Sequence, residues 1–207
     1  MVDAFVRPAK PDDAVAVARV QLTTWRTAYA QVVPVAVLDA LDEDEVAAQW
    51  RSAILEPPTP RHHVLVAYEG DTTVGFAATG PATGEDLVGP GYASEETPTP
   101  ATPDNPPTPP APEDPADWDA TTLVVSALLV EPRWGRRGHG SRLLAAVADV
   151  GRADGFTRAV IWSLDADQAT RSLLESTGWA PDGVGRVLDM NGVDVPELRL
   201  VTELDQS

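Results

Sequence analysis

The 207-residue chain contains no cysteine, and this absence removes several kinds of chemistry at once. Disulfides, thiolate zinc sites and a cysteine nucleophile are all excluded. The chain also lacks any run of about 18 apolar residues, so we expect no membrane-spanning segment and no membrane partner. Residues 1–10 have no apolar signal-peptide core. We therefore expect a cytoplasmic protein.

Basic residues are scarce. Lys and Arg total 15 against 32 Asp and Glu, which gives a formal net charge of −17. Such a surface repels phosphates, so we expect no nucleic-acid partner, whereas a cationic substrate would be attracted. Two of the three histidines, His62 and His63, are adjacent in a predicted strand and would point to opposite faces. No metal site is predicted.

Residues 81–118 differ in composition from the rest of the chain. They hold 11 of the 20 prolines and eight acidic residues, with no Lys or Arg. Proline cannot donate to a sheet ladder, and so polar a segment cannot offset its ordering entropy. We expect a single domain over residues 1–207, in which 81–118 is a flexible acidic insertion between strands three and four.

The remaining chain alternates strand and helix patterns. The apolar run 121–130 predicts a buried central strand, and Asn191-Gly192 predicts a tight hairpin. Apolar residues at steps of three and four predict one face of an early helix: Val15, Ala18, Leu22, Trp25 and Tyr29. Trp25 and Tyr29 either face the core or line a substrate pocket. Further strands are predicted at 4–8, 63–69, 73–79, 158–164, 185–190 and 193–203.

A glycine-rich turn carries the clearest chemical signal. Residues 135–141 read Gly-Arg-Arg-Gly-His-Gly-Ser between a strand and a helix. Backbone N–H groups at a helix N-terminus suit a phosphate, and glycines allow close approach. A Walker A loop would need a lysine after Gly140, where Ser141 stands. A dinucleotide fingerprint would need a small residue where Leu143 stands.

The turn resembles the acetyl-CoA-binding signature of the GNAT acetyltransferases, Gln/Arg-x-x-Gly-x-Gly/Ala. Its context is also similar: Val130 and Pro132 precede it, Leu143 and Leu144 follow it, and residues 167–179 resemble a later family motif. The resemblance implies an α/β (α+β) fold. Its central twisted, mostly antiparallel seven-stranded sheet would be flanked by helices on both faces, with strands four and five splayed.

The resemblance further implies acetyl-CoA, or another acyl-CoA, as cosubstrate, without a metal, and a possible homodimer. Trp25 and Tyr29 would bind the acceptor. The residues expected to bind the cofactor are Leu128, Leu129, Val130, Arg136, Arg137, Gly138, His139, Gly140, Ser141 and Asp167.

The chain departs from the family pattern at several positions. Gly135 replaces the first Gln/Arg, and Asp167 replaces an Asn. Leu174 replaces the Tyr that often protonates the leaving thiolate. Apolar residues near Val124 and Trp162 replace the carboxylate bases of some members. Ribosomal-protein alanine acetylases keep a Glu where Trp162 stands, which disfavours that substrate.

Three residues are candidate replacements for these groups. Thr170 lies one turn before Leu174 and is a candidate donor to sulfur, Ser126 is a candidate for ordering a water, and Asp119 is a candidate base. The sequence thus predicts an N-acetyltransferase that moves an acetyl group from acetyl-CoA to a primary amine of a small molecule or peptide. The alternative is a catalytically impaired GNAT domain that binds acyl-CoA as a sensor or protein-interaction module.

Overall fold

A seven-stranded sheet organises the protein. The computed structural model describes residues 3–30, 35–87, 120–190 and 192–204. The strands are β1 (Ala4–Pro8), β2 (His63–Glu69), β3 (Thr72–Pro81), β4 (Thr122–Val130), β5 (Arg158–Leu164), β6 (Ala180–Asp189) and β7 (Asp194–Glu203). The helices are α1 (Ala14–Ala28), α2 (Val35–Asp39), α3 (Glu43–Leu55), α4 (Gly84–Leu87), α5 (His139–Ala153) and α6 (Gln168–Ser176). The predicted mixed α/β fold is confirmed.

The sheet order is β1-β2-β3-β4-β5-β7-β6. Among the described strands only β4 and β5 pair in parallel, and their pairing ends at Val125 and Ile161. Beyond that point β4 continues to Val130 beside β3, while β5 continues to Leu164 beside β7. The two strands therefore diverge, as expected, and leave a gap in the middle of the sheet.

Helices cover both faces because side chains of the central strands alternate between them. On one face, Val17 and Val20 of α1 pack with Phe76 and Leu129. On the other, Leu143, Leu144 and Val147 of α5 join the main core with strand residues such as Ala77 and Leu123. The run at the start of β4 is buried as predicted.

The predicted apolar face of α1 was wrong at its first position. Val15 is 62% exposed, whereas Ala14, Val17 and Ala18 are buried. Successive helical residues are separated by about 100°, so a face that contains Ala14 and Val17 turns Val15 towards solvent. The remainder of the stripe is confirmed, since Leu22 is buried and Trp25 and Tyr29 pack against the α1–β3 core.

The structure describes the first seven residues of the predicted insertion, 81–87. Strand β3 extends to Pro81, which pairs with Leu123, and α4 follows it directly. Ala82 and Leu87 are buried against Val124 and Val160. Residues 81–87 therefore belong to the folded part of the chain. Pro81 is tolerated in β3 because it stands at the end of the strand, where its missing N–H breaks no hydrogen bond of the sheet. Residues 88–119, including Asp119, lie outside the described part of the chain.

Candidate active site

The glycine turn leads from β4 into α5. A short 3-10 turn, Pro132–Trp134, comes first. Arg136 and Gly138 then adopt positive φ angles of 62° and 81°. The helix starts at His139, and its first closing hydrogen bond runs from the backbone N–H of Arg142 to the carbonyl of Gly138 at 3.1 Å. The N–H groups before Arg142 have no intrahelical acceptor and point out of the helix end.

Glu69, at the end of β2, holds this turn. Its two carboxylate oxygens accept hydrogen bonds from His139 Nε2 and Arg137 Nη1, each at 2.8 Å. The His139 bond and the adjacent Arg137 charge keep the pKa of Glu69 below its usual value. The guanidinium of Arg137 also lies 4.9 Å from the ring centroid of Trp134. Nothing in the sequence pattern marks Glu69, because β2 and the turn are distant along the chain.

The turn forms one wall of a cleft of about 680 Å³. The other walls come from β4, the end of α1 and the start of α6. All of the residues expected to bind the cofactor line this cleft except Arg137. The side chain of Arg137 instead folds back on Trp134 and Glu69, and therefore stabilises the turn. Arg136 contributes the positive charge that lines the cleft.

Two features of the backbone shape the cleft. The N–H of Glu131 bonds to Val74 of β3. Since N–H groups alternate sides along a strand, those of Leu128 and Val130 point away from β3 into the gap beside β5. At Gly140, an added Cβ would lie 2.5 Å from Leu173 Cδ2, so glycine allows the start of α5 to pack closely on α6.

A second cavity, of about 350 Å³, lies beside the diverging strands β4 and β5. Three tryptophans line it: Trp25, Trp50 and Trp162. Ser126 of β4 also lines it and donates a hydrogen bond to the carbonyl of Ala78 at 3.3 Å. The cleft and this cavity share four lining residues, so they meet in the gap: Tyr29, Leu128, Leu129 and Thr170.

A hydrogen-bonded cluster stands at this junction. Asp167 caps α6 by accepting from the backbone N–H of Thr170 at 3.0 Å. Its Oδ2 atom also accepts from the hydroxyls of Tyr29 at 2.9 Å and of Thr170 at 2.7 Å. Burial raises the pKa of Tyr29, and the charge of Asp167 raises it further. The Tyr29 hydroxyl therefore stays protonated at neutral pH.

The remaining sequence candidates lie elsewhere. Leu174 is fully buried in the main core and lines neither cavity.

Within the described ranges, no group of three or more His, Asp or Glu side chains is placed to hold a metal ion. Nor does any helix in those ranges have both the length and the apolar composition that a bilayer crossing requires.

A seven-stranded sheet with a glycine turn at its splayed parallel pair is the architecture of GNAT acetyltransferases. A model of the acetyltransferase (GNAT) family matches residues 20–179, and the chain belongs to this family.

Individual relatives agree with this assignment. The uncharacterised N-acetyltransferase YuaI of Bacillus subtilis (strain 168) is 26% identical over 197 residues, which cover 94% of this chain and 90% of YuaI. The acetyltransferase yncA of Salmonella typhimurium, solved with its cofactor acetyl-CoA, superposes with a TM-score of 0.64 at 16% identity, covering 99% of this chain and 95% of that one. The PaiA N-acetyltransferase of Thermoplasma acidophilum, in complex with coenzyme A, gives a TM-score of 0.64 at 12% identity, covering 97% of this chain and 99% of that one. At these identities the two structures share the fold.

Proposed function

We propose that this chain is an acetyl-CoA-dependent N-acetyltransferase that acts on a primary amine. The observation that carries the proposal is the junction of the two cavities at Tyr29, Leu128, Leu129 and Thr170. A binding-only sensor needs a cofactor cleft, but it has no need for a second cavity that opens onto the reacting end of that cleft. The joined pair therefore favours the enzyme over the impaired binding module.

The turn is proposed to hold the cofactor pyrophosphate. Its outward N–H groups suit phosphate oxygens, and Arg136 adds a positive charge beside them. Gly138 has a φ of 81°, and an added Cβ there would lie 3.1 Å from Arg142 Nη1, so a larger residue would disturb the turn. Bound in this cleft, acetyl-CoA supplies an acetyl thioester at the gap between β4 and β5.

The N–H groups of Leu128 and Val130 are proposed to bond the cofactor, one of them donating to the carbonyl oxygen of that thioester. Donors fixed before the reaction stabilise the developing negative charge without reorganisation. Holding the amine and the thioester together contributes roughly 7–11 kcal/mol to lowering the barrier. Acid–base assistance contributes typically about 10²–10⁴-fold in rate. The positioning effect is the larger of the two, so a chain without the family Tyr retains most of the catalytic contribution.

Tyr29 is proposed to supply the proton that the leaving sulfur needs. Its hydroxyl lies at the junction and is protonated there. Burial and Asp167 raise its pKa, so it transfers its proton only as it recovers another. Thr170 is the second hydroxyl at the junction and shares the same acceptor, Asp167. Ser126 lines the acceptor side and is proposed to order a water there.

Calorimetric titration with acetyl-CoA tests the cofactor assignment. The test variant is Ser141→Glu, because Ser141 is exposed and lines the cleft. A glutamate in the first turn of a helix favours the fold, but its carboxylate would repel the pyrophosphate. The matched control is Ala145→Glu, which adds the same charge one turn later at an exposed position that does not line the cleft.

The wild type and Ala145→Glu are expected to bind acetyl-CoA with similar affinity, and Ser141→Glu at least tenfold more weakly. Release of free coenzyme A in the presence of amines then tests transfer. Absence of binding by the wild type at millimolar acetyl-CoA would overturn the proposal. Binding without amine-dependent release would favour the sensor alternative.

A further inference from the structure

The second cavity is mainly aromatic and apolar, but Glu197 of β7 also lines it. Glu197 is only 9% exposed. A buried carboxylate is rare unless it is paired or used, because burial costs several kcal/mol. Its environment therefore indicates what the cavity can bind.

The other polar side chains of this cavity have partners inside the protein. Gln21 accepts through Oε1 from the indole of Trp50 at 2.6 Å, and Ser126 donates to the carbonyl of Ala78. Tyr29 and Thr170 donate to Asp167. Ser163 makes a long contact of 3.5 Å with the carbonyl of Leu164. A ligand thus meets few polar groups here that lack an internal partner.

Glu197 differs from them. Its Oε2 atom accepts from Arg186 Nε at 2.5 Å. Within the described part of the chain, this carboxylate accepts a hydrogen bond from Arg186 alone, which leaves Oε1 able to accept from a ligand. In the sheet, Glu197 stands opposite Leu164, at the end of β5 that diverges from β4. Its charge also contributes to the raised pKa of Tyr29, so the two side chains are near one another.

We propose that Glu197 binds the ammonium group of the acceptor and takes its proton. This inference rests on the proposed function and names its substrate class: a primary amine carried on an aromatic or branched apolar body. The three tryptophans of the cavity surround the body, and the single open carboxylate oxygen meets the cation. Polyamines and amino acids would bury further charges that these walls cannot pair.

The transfer step balances with these groups. The ammonium gives one proton to Glu197, and the neutral nitrogen forms the bond to the acetyl carbonyl carbon. The carbon–sulfur bond breaks, and sulfur leaves with its electron pair. Sulfur takes the proton of Tyr29 in the same step in which Tyr29 recovers the second nitrogen proton through solvent, so no tyrosinate forms beside Asp167. Glu197 releases its proton after the product leaves. The products are the N-acetyl amine and free coenzyme A.

Steady-state release of coenzyme A with two probe amines tests the inference. The probes are 2-phenylethylamine, with an aromatic body, and putrescine, which carries a second ammonium. Wild type is expected to show at least a tenfold higher kcat/KM for 2-phenylethylamine. Glu197→Gln is expected to lower that kcat/KM by about 10²–10⁴-fold, the usual value of acid–base assistance, and to leave the dissociation constant of acetyl-CoA within threefold.

Two further variants keep the test decisive. Glu203→Gln is the control, since Glu203 lies on the same strand, is exposed and pairs with Arg158; its kcat/KM should be unchanged. Glu197→Gln leaves Arg186 without its anion, so the double variant Glu197→Gln/Arg186→Gln is also measured. It should bind acetyl-CoA and show the same loss of amine transfer.

The outcomes separate the two proposals. Failure of wild type to bind acetyl-CoA overturns the proposed function. Binding and transfer with full activity in Glu197→Gln overturns the role of Glu197 alone. Preference for putrescine, or transfer to neither amine by a protein that binds acetyl-CoA, overturns the acceptor class.

Discussion

The hydroxyl of Tyr29 donates a hydrogen bond to Asp167 Oδ2 at 2.9 Å, and this bond joins the end of α1 to the cap of α6. Both helices line the cleft beside the glycine turn and the second cavity. The hydroxyl of Thr170 donates to the same oxygen, at 2.7 Å. One carboxylate therefore positions the two hydroxyl groups that the two cavities share.

Tyr29→Phe tests the proposed proton donor. The variant keeps the ring that lines both cavities and removes the hydroxyl, so acetyl-CoA should bind within about threefold of wild type. We expect kcat to fall about 10–100-fold. This loss is at the low end of acid–base effects because the hydroxyl of Thr170 remains. Stopped-flow or steady-state release of coenzyme A measures kcat, and calorimetry measures binding. An unchanged kcat would exclude Tyr29 as the donor.

Asp13→Asn is expected to destabilise the fold in a pH-dependent way. Burial alone would raise the pKa of Asp13, but hydrogen bonds from Arg7, Tyr68 and the backbone of Lys10 lower it from 3.8 to about 2. Because the pKa of Asp13 is lower in the folded than in the unfolded state, its ionised form stabilises the fold at pH values above the unfolded pKa. The contribution is about 2 kcal/mol at neutral pH, and it is lost as the pH falls from about 4 towards 2.

Urea unfolding at several pH values measures this effect. The difference in free energy of unfolding between wild type and Asp13→Asn should be largest at pH 7 and shrink as the pH approaches 2. Asp12→Asn is the control, because Asp12 is the exposed neighbour and should cost less than about 0.5 kcal/mol. A difference that does not vary with pH would contradict the assignment.

Gly75→Ala should destabilise the protein through a backbone contact. An added Cβ at Gly75 would lie 2.7 Å from the carbonyl oxygen of Leu129, which cannot move aside as a side chain could. We expect a loss of about 1–3 kcal/mol, as for other overpacked positions. Gly84→Ala is the matched control, since nothing lies within 4 Å of its added Cβ. Thermal unfolding compares the two, and equal melting temperatures would refute the argument.

Arg199→Leu should be among the most damaging single substitutions. Arg199 is 3% exposed, pairs with Asp182 at 2.6 Å and donates to the carbonyl of Leu87. Removing one member of a buried pair leaves an uncompensated charge, at a cost of about 3–5 kcal/mol. Arg152→Leu removes a far more exposed ion pair and should cost under about 1 kcal/mol. Denaturant titration of both variants would show the difference, and similar losses would contradict it.

Local patterns predicted the parts of the fold that depend on neighbouring residues. The turn 135–141 was recognised because its glycines and the following helix are contiguous, and the structure gives Gly138 a positive φ. The hairpin was predicted from Asn191-Gly192, of which Asn191 lies outside the described residues, and β6 and β7 do pair in antiparallel fashion from Asp189 and Asp194. The long apolar run predicted β4, because only a strand covered on both faces can be apolar throughout.

Other features depended on packing between distant segments. Glu69 holds the turn from 70 residues away in sequence, and no local rule marks it. A weak sequence signal for Glu197 was missed. Val195, Glu197 and Arg199 alternate along β7 and so share one face, and the burial of Val195 indicates that this face, with its two charged residues, points inward. The packing of residues 81–87 into the fold was not predicted, because composition cannot show that Leu87 is buried against Val124 and Val160.

The order of residues alone was sufficient to predict a glycine turn before a helix, a central apolar strand and the family, because each depends on residues that are close in sequence. The proposed active centre was predicted only in part, because it is assembled from four elements. Tyr29, Leu128 and Thr170 were candidates from the sequence and Glu197 was not, and the four line one cavity where β4 and β5 diverge. Burial in that gap is also what raises the pKa of Tyr29, since desolvation is a property of the assembled fold and not of any segment.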